Sequence, residues 1–232
     1  MLHGIAHAHA ALIDADRAAA TVRAGRVHVE QSFAPPHLVE GVRRDLLKRH
    51  AQFQTAASYS SNGFDDVRQA LVCDPDLGCE PFFALYNQLD IARTEIGAAL
   101  AIALAPGMEA TYVVYPTGGY YRPHIDSIEG VDEPGTGRRV ISYIIYLSEP
   151  EPEWAPSDGG ALRAFHAPPR DVAAVATGSD DRTLAVPEDG DWEDVLPRSG
   201  SLVLFDSKRV WHEVRPTLRE RACLVGWMRA AA

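Results

Sequence analysis

The chain has 232 residues, so it can bury a substantial core. Its net charge of −10 opposes non-specific binding to nucleic acid, which needs clustered Lys and Arg. Its hydrophobic fraction of 46% and charged fraction of 23% are ordinary for globular proteins. Its three cysteines are an odd set without C-x-x-C spacing, which argues against a disulfide framework or a zinc ribbon.

The first residues, MLHGIAHAHAALIDADR, lack a basic segment before an apolar block. No apolar run approaches the roughly 18 residues that a membrane span requires. We therefore expect a cytoplasmic protein that is neither exported nor embedded in a membrane.

The N-terminal part of the chain is predicted to be mainly helical. Residues 8–20 are rich in alanine, a strong helix former, and 37–53 place apolar residues at helical spacing. Residues 82–104 predict a second long helix. Between these helices, 22–33 alternate in the manner of a strand, and we expect 54–80 to be a loop.

After Thr111 the sequence changes to short apolar segments separated by Gly and Pro. The predicted strands are TYVVYP, RVISYIIYLSEP, GGALRAFHAP, SGSLVLFDS, VWHEVRP and RACLVGWMR. This pattern predicts a β-sandwich or barrel of the jelly-roll, cupin-like kind. We expect a mainly β, α+β fold in a single domain, with a catalytic core at 111–229 and supporting helices in 1–110. The acidic insertion at 166–197 is consistent with a functional lid or a mobile linker.

His124, Asp126 and His212 form the pattern with the clearest chemistry. Two imidazoles and one carboxylate on one face of a metal leave the other face open, as in non-heme Fe(II) oxygenases. Residues two apart on a strand point to one face, so His124 and Asp126 can bind the same ion. An isolated H-x-D is more often an ordinary turn, so the surrounding motifs decide between the two interpretations.

Arg221, nine residues after His212, is a candidate anion-binding residue. Alternation in RACLVGWM predicts that its side chain faces the interior of the barrel. A buried arginine without an anion is costly, and its planar guanidinium can donate two charge-assisted hydrogen bonds to a carboxylate. Arg219 lies two residues earlier, so it has the same parity along the strand and is the alternative anion-binding residue. We expect Arg215 and Arg229 to be solvated.

Further motifs surround these residues in a characteristic order. YPTGGYY at 115–121 precedes the metal pair, DGG stands at 158–160, and SGSLVLF at 199–205 leads towards His212. Over about residues 110–229 this order resembles the prolyl 4-hydroxylase-like group of 2-oxoglutarate/Fe(II) dioxygenases, most closely the hypoxia-inducible-factor prolyl hydroxylases. The resemblance implies a double-stranded β-helix that uses Fe(II), 2-oxoglutarate and O2, with ascorbate as a candidate reductant.

The resemblance also assigns roles to individual residues. It places the three metal ligands on His124, Asp126 and His212. Arg221 falls on the arginine that binds the C5 carboxylate of 2-oxoglutarate. Three further positions match the tyrosine that shares this carboxylate, the tyrosine at the mouth of the cosubstrate pocket and a leucine of its wall, namely Tyr146, Tyr115 and Leu162. A plain core role is the alternative for the leucine.

Asp126 indicates hydroxylation, because related halogenases lack this carboxylate. The implied reaction hydroxylates a C–H bond and releases succinate and CO2. We expect the substrate to be a prolyl or similar residue in a protein or peptide, with a free amino acid or a peptide-derived natural product as the alternative. The insertion at 166–197 and the acidic residues Glu129, Asp132 and Glu133 depart from the oxygen-sensing enzymes.

A cupin-like metal-binding or sensor protein without oxygen chemistry is an alternative from a different functional class. Such a protein needs no 2-oxoglutarate site, so Arg221 and Tyr146 argue against it.

Overall fold

Two antiparallel β-sheets form the centre of the molecule. The computed structural model describes residues 12–56, 67–127, 137–166 and 191–231. Within these ranges the strands are β1 (His28–Glu30), β2 (Gln54–Thr55), β3 (Arg68–Gln69), β4 (Leu71–Cys73), β5 (Thr111–Tyr115), β6 (Tyr120–His124), β7 (Arg139–Tyr146), β8 (Leu162–Phe165), β9 (Trp192–Val195), β10 (Leu202–Asp206), β11 (Trp211–Val214) and β12 (Arg221–Arg229). The helices are α1 (Ala15–Arg23), α2 (Pro36–Lys48) and α3 (Glu80–Leu100), and short 3-10 turns occupy His50–Gln52 and Pro156–Asp158.

The strands are wound in the order of a double-stranded β-helix. The larger sheet has the order β1-β10-β7-β12-β5-β4-β2, and the smaller sheet has the order β3-β6-β11-β8-β9. Successive strands from β5 to β8 alternate between the sheets, and so do β10, β11 and β12. The predicted jelly-roll fold is therefore confirmed.

Alternation along β12 shows how the larger sheet separates two apolar cores. Cys223 belongs to the core between the two sheets, where Leu162 and Val214 of the smaller sheet also lie. Its neighbours Ala222 and Leu224 belong to the core on the opposite face of the larger sheet. Because successive side chains of a strand point to opposite faces, this one strand contributes to both cores.

The helices cover the outer face of the larger sheet. α2 begins at Pro36, where a proline suits the first turn of a helix, and it buries Val42. α3 buries Leu89 and other apolar side chains against the sheet, each of which contributes about 1.5–3 kcal/mol to stability. The helices predicted at 37–53 and 82–104 are confirmed, with ends that differ by a few residues. None of the helices in the described ranges is long and apolar enough to cross a membrane.

The prediction of a loop over 54–80 was wrong. β2, β3 and β4 lie in this stretch and extend both sheets beyond the predicted core at 111–229. Strands of two or three residues are too short to produce a periodicity in the sequence, and pairing with neighbouring strands holds them. One of these pairings places Arg68 of β3 beside Tyr121 of β6.

Three sequence predictions fall partly or wholly outside the described residues. The predicted helix at 8–20 is seen only from Ala15 onward, as α1. The acidic loop with Glu129, Asp132 and Glu133 lies outside the described residues. So do residues 167–190 of the insertion, and the part that is described contains β9. The lid therefore stays a prediction.

Candidate active site

A cavity of about 430 Å³ lies between the two sheets. Its wall combines candidate metal ligands, guanidinium groups and apolar side chains. His124, Asp126 and His212 form one polar cluster, Arg68 and Arg221 contribute guanidinium groups, and the apolar part includes Val113, Ile144, Leu162, Phe205, Val214 and Val225. The cavity therefore has charged groups enclosed by apolar walls, a setting that strengthens electrostatic interactions.

The strand register brings the three predicted metal ligands together. His124 ends β6 and lies directly opposite His212 of β11. The Nε2 atoms of His124 and His212 are 3.6 and 3.8 Å from the carboxylate oxygens of Asp126, and the ligand atoms of all three residues lie within 4.8 Å of one another. Each residue can therefore contribute one donor atom to the same ion.

Hydrogen bonds to the backbone select which ring nitrogen of each imidazole carries a hydrogen. Nδ1 of His124 is 2.8 Å from the carbonyl oxygen of Arg122, and Nδ1 of His212 is 3.1 Å from that of Val210. A carbonyl oxygen can only accept, so each Nδ1 carries the hydrogen and each Nε2 keeps a free lone pair. Burial lowers the pKa of His124 to about 3, which keeps this ring neutral.

The carboxylate of Asp126 is held in its ionised form and in a fixed orientation. Burial alone would raise the pKa of Asp126, but the neighbouring His212 and His124 and a hydrogen bond from Ser142 lower it below its usual value. Ser142 Oγ donates to Asp126 Oδ2 at 2.6 Å and lies 2.9 Å from Ser207 Oγ. Two imidazoles and one oriented carboxylate fit the donor set of an Fe(II) site.

Arg221 projects into the same cavity, as its strand parity predicted. It is 1% exposed, and its Nε and Nη2 atoms have no hydrogen-bond partner among the described residues. Its guanidinium carbon lies 4.9 Å from the centroid of the Tyr115 ring and 5.1 Å from that of Tyr146. A buried cation with unpaired donors creates a site for an anion.

Tyr146 lies beside Arg221 but is not among the residues that line the cavity. Its hydroxyl group is buried and has no partner within the described part of the chain. Burial raises the pKa of Tyr146 to about 12, so the phenol keeps its proton and can donate it in a hydrogen bond. Tyr115 and Leu162, the other two predicted pocket residues, both line the cavity.

The alternative cation, Arg219, lies elsewhere. Its guanidinium stacks on Trp154, 4.6 Å from the ring centroid, and donates to the carbonyl oxygen of Pro152 at 3.0 Å. The expectation that Arg229 is solvated was wrong, because its Nε donates to Glu109 at 2.8 Å. This ion pair reaches back to a residue 120 positions away in the sequence, which no local pattern indicates.

Sequence reasoning also missed the contact between Arg139 and Trp227, two residues of the cavity lining that we call the rim. Arg139 lies over the indole of Trp227, with its guanidinium carbon 3.6 Å from the ring centroid. Glu109 accepts hydrogen bonds from Nε and Nη2 of Arg139 at 3.1 and 2.6 Å. The strand alternation that identified Arg221 also places Trp227 on the inner face of β12, whereas nothing in the sequence identifies Glu109 as the partner of Arg139.

Comparisons with known proteins agree with this geometry. Residues 110–229, just over half of the chain, match the model of the 2OG-Fe(II) oxygenase superfamily. The crystal structure of a prolyl-4-hydroxylase from Pseudomonas putida is 30% identical, with 95% of this chain and 100% of that chain covered at a TM-score of 0.71. A prolyl hydroxylase from Trichoplax adhaerens, solved with a peptide fragment of the hypoxia-inducible-factor oxygen degradation domain, is 19% identical, covers 93% and 90% of the two chains at a TM-score of 0.68, and shows the fold alone.

A sequence relative matches about half of the chain. A prolyl 3,4-dihydroxylase from Ostreococcus tauri is 33% identical over 119 residues, which are 49% of this chain and 19% of that protein. The match therefore spans about a fifth of the length of that relative.

Proposed function

Because the chain belongs to the 2OG-Fe(II) oxygenase superfamily, we propose that it hydroxylates a prolyl residue in a protein or peptide. It is a 2-oxoglutarate-dependent dioxygenase that uses Fe(II), 2-oxoglutarate and O2, and the alternative of a cupin-like protein without oxygen chemistry was wrong. The observation that carries the prolyl substrate is the 30% identity to the Pseudomonas putida prolyl-4-hydroxylase along its full length.

Each part of the cavity has a task in this reaction. His124, Asp126 and His212 would hold Fe(II), which supplies oxygen activation with electrons from 2-oxoglutarate. Ser142 holds the carboxylate of Asp126 in place. Arg221 and Tyr146 bind the far carboxylate of 2-oxoglutarate with charge-assisted hydrogen bonds. The apolar wall excludes water, which protects a reactive centre from side reactions.

The rim of the cavity suits a prolyl residue. Trp227 offers an apolar indole surface, outside the area that Arg139 covers, on which a saturated five-membered ring can pack, and Arg139 can donate to a peptide carbonyl oxygen. Both residues line the cavity that contains the metal cluster. A substrate held there presents its ring carbons towards the open side of the metal site.

Glu109 is expected to position Arg139 for this contact. Glu109→Gln keeps one acceptor but removes the charge that pairs with Arg139 and Arg229. We expect KM for a prolyl peptide to rise by roughly 5- to 10-fold, equivalent to about 1 kcal/mol. The KM for 2-oxoglutarate should stay at the wild-type value. Steady-state kinetics with each substrate varied in turn measures both constants.

The chain offers a matched control for this variant. Arg163 stacks on Trp192 at 4.5 Å and pairs with Asp194 at 2.7 Å, the same arrangement away from the cavity lining. Asp194→Asn should therefore leave both KM values unchanged. An equal rise in peptide KM for the two variants, or no rise for Glu109→Gln, would show that Arg139 and Trp227 do not bind the substrate.

The substrate class is tested with matched peptides and free amino acids. We expect proline-containing peptides to stimulate succinate formation, and the same peptides with each proline replaced by alanine to give no stimulation. Tandem mass spectrometry should locate the added oxygen atom on the proline ring. Stimulation by free proline with none by the peptides would contradict the proposal and favour an amino acid hydroxylase.

A further inference from the structure

The cavity contains a further guanidinium group that the reaction described above does not use. Arg68 of β3 enters the cavity from the edge of the smaller sheet. Its Nε atom is buried and has no hydrogen-bond partner among the described residues. Its contacts are with aromatic rings, since the guanidinium carbon lies 4.7 Å from the centroid of Tyr121 and 6.0 Å from that of Tyr115.

Ring contacts place Arg68 between Arg221 and the metal cluster. Arg221 and Arg68 both lie against Tyr115, at 4.9 and 6.0 Å from its ring centroid. On its other side Arg68 lies over Tyr121, which stacks on the His124 ring with centroids 3.6 Å apart. Along the wall the order is therefore Arg221, Tyr115, Arg68, Tyr121 and His124.

The charges that line the cavity indicate what Arg68 can bind. Of the other charged residues that line the cavity, Arg139 is paired with Glu109, Asp126 belongs to the metal cluster and Asp74 is exposed. The ion pairs found among the described residues include neither Arg68 nor Arg221. Burying an unpaired cation in an apolar cavity is costly, which favours an anionic ligand beside it.

We propose that Arg68 is a second cosubstrate-binding residue, which contacts the carboxylate of 2-oxoglutarate at the metal end of the cavity while Arg221 contacts the far carboxylate. Each of the two guanidinium groups then binds one carboxylate of the same dianion. This assignment rests on 2-oxoglutarate as the cosubstrate of the proposed function and does not depend on the prolyl substrate.

Two 2-oxo acids separate the roles of the two arginines. 2-Oxopentanoate keeps the 2-oxo acid end of 2-oxoglutarate but has a methyl group in place of the far carboxylate. We expect Arg68→Gln to weaken the binding of both acids by the same factor, on the order of 10-fold. Arg221→Gln should weaken 2-oxoglutarate binding and leave 2-oxopentanoate binding unchanged. Anaerobic calorimetric titration of the Fe(II) protein measures all four affinities without turnover.

Three further measurements make the result interpretable. Arg68→Lys keeps the charge and should recover part of the lost affinity for both acids. Arg44→Gln makes the same chemical change on the exposed side of α2 and should change neither affinity. Binding of Fe(II) by Arg68→Gln, and its melting temperature, should match the wild type.

Several results would overturn the assignment. If Arg68→Gln changed neither affinity, Arg68 would not contact the cosubstrate. If it weakened 2-oxoglutarate but not 2-oxopentanoate, Arg68 would act at the far carboxylate. If both Arg68 variants lost Fe(II) binding or folded structure, its role would be structural.

Discussion

Asp126→Ala should abolish coupled hydroxylation and strongly weaken Fe(II) binding while the fold remains intact. Asp126 supplies the only carboxylate in the metal cluster found among the described residues. Loss of a hydrogen-bonding partner of a metal ligand typically costs about 10- to 100-fold in affinity, so loss of the ligand itself should cost more than about 100-fold. Anaerobic Fe(II) titration and succinate formation measure the two effects.

Ser142→Ala provides a graded comparison for this result. It removes the hydrogen bond to Asp126 Oδ2 but leaves all three ligands in place, so Fe(II) affinity should fall by about 10- to 100-fold. The circular dichroism spectra of both metal-free variants should match the wild type. Wild-type turnover in Asp126→Ala would contradict the assignment of this residue as a ligand.

Arg221→Lys should weaken 2-oxoglutarate binding by about 1–3 kcal/mol, because it keeps the charge but loses the planar pair of donors. Arg221→Ala should weaken binding further, since it also removes the charge that faces the cavity. The metal ligands are untouched, so Fe(II) affinity should remain near the wild-type value and the loss should appear as a raised KM for 2-oxoglutarate. Anaerobic titration, followed by the metal-to-ligand absorbance band, measures the binding directly.

Arg219→Ala is the matched control for the Arg221 variants. Arg219 has the same strand parity but stacks on Trp154 away from the cavity, so its replacement should leave 2-oxoglutarate affinity close to that of the wild type. A larger loss from Arg219→Ala than from Arg221→Ala would show that the cosubstrate binds elsewhere.

Local patterns predicted the parts of this molecule that depend on alternation along a strand. The parity of β12 placed Arg221 in the interior. The H-x-D spacing predicted that His124 and Asp126 share a site, and their ligand atoms do lie together, but β6 ends at His124 and Asp126 lies in the bend after it. The position of Arg221 follows from the two-residue repeat of a strand, which holds wherever one face of a sheet is buried. The long helices were predictable for the same kind of reason, because α2 has an apolar stripe that packs on the larger sheet.

The sequence could not reveal groups that are brought together by pairing between distant segments. Arg68 lies in a two-residue strand inside a stretch predicted to be a loop, and only its pairing with β6 directs it into the cavity. Glu109 accepts from Arg139 and from Arg229, which follow it by 30 and 120 residues. Such ion pairs are set by tertiary structure and leave no periodic signal.

Turnover with isotopically labelled O2 tests the central assignment most directly. The wild-type protein is incubated with Fe(II), 2-oxoglutarate, ascorbate and the most stimulating prolyl peptide, and the products are examined by mass spectrometry. We predict that one labelled oxygen atom enters succinate and one enters the proline ring, in equal amounts, and that Arg221→Ala lowers both together. Hydroxylated peptide without labelled succinate, or no labelled product from any peptide or amino acid, would contradict a 2-oxoglutarate-coupled prolyl hydroxylase.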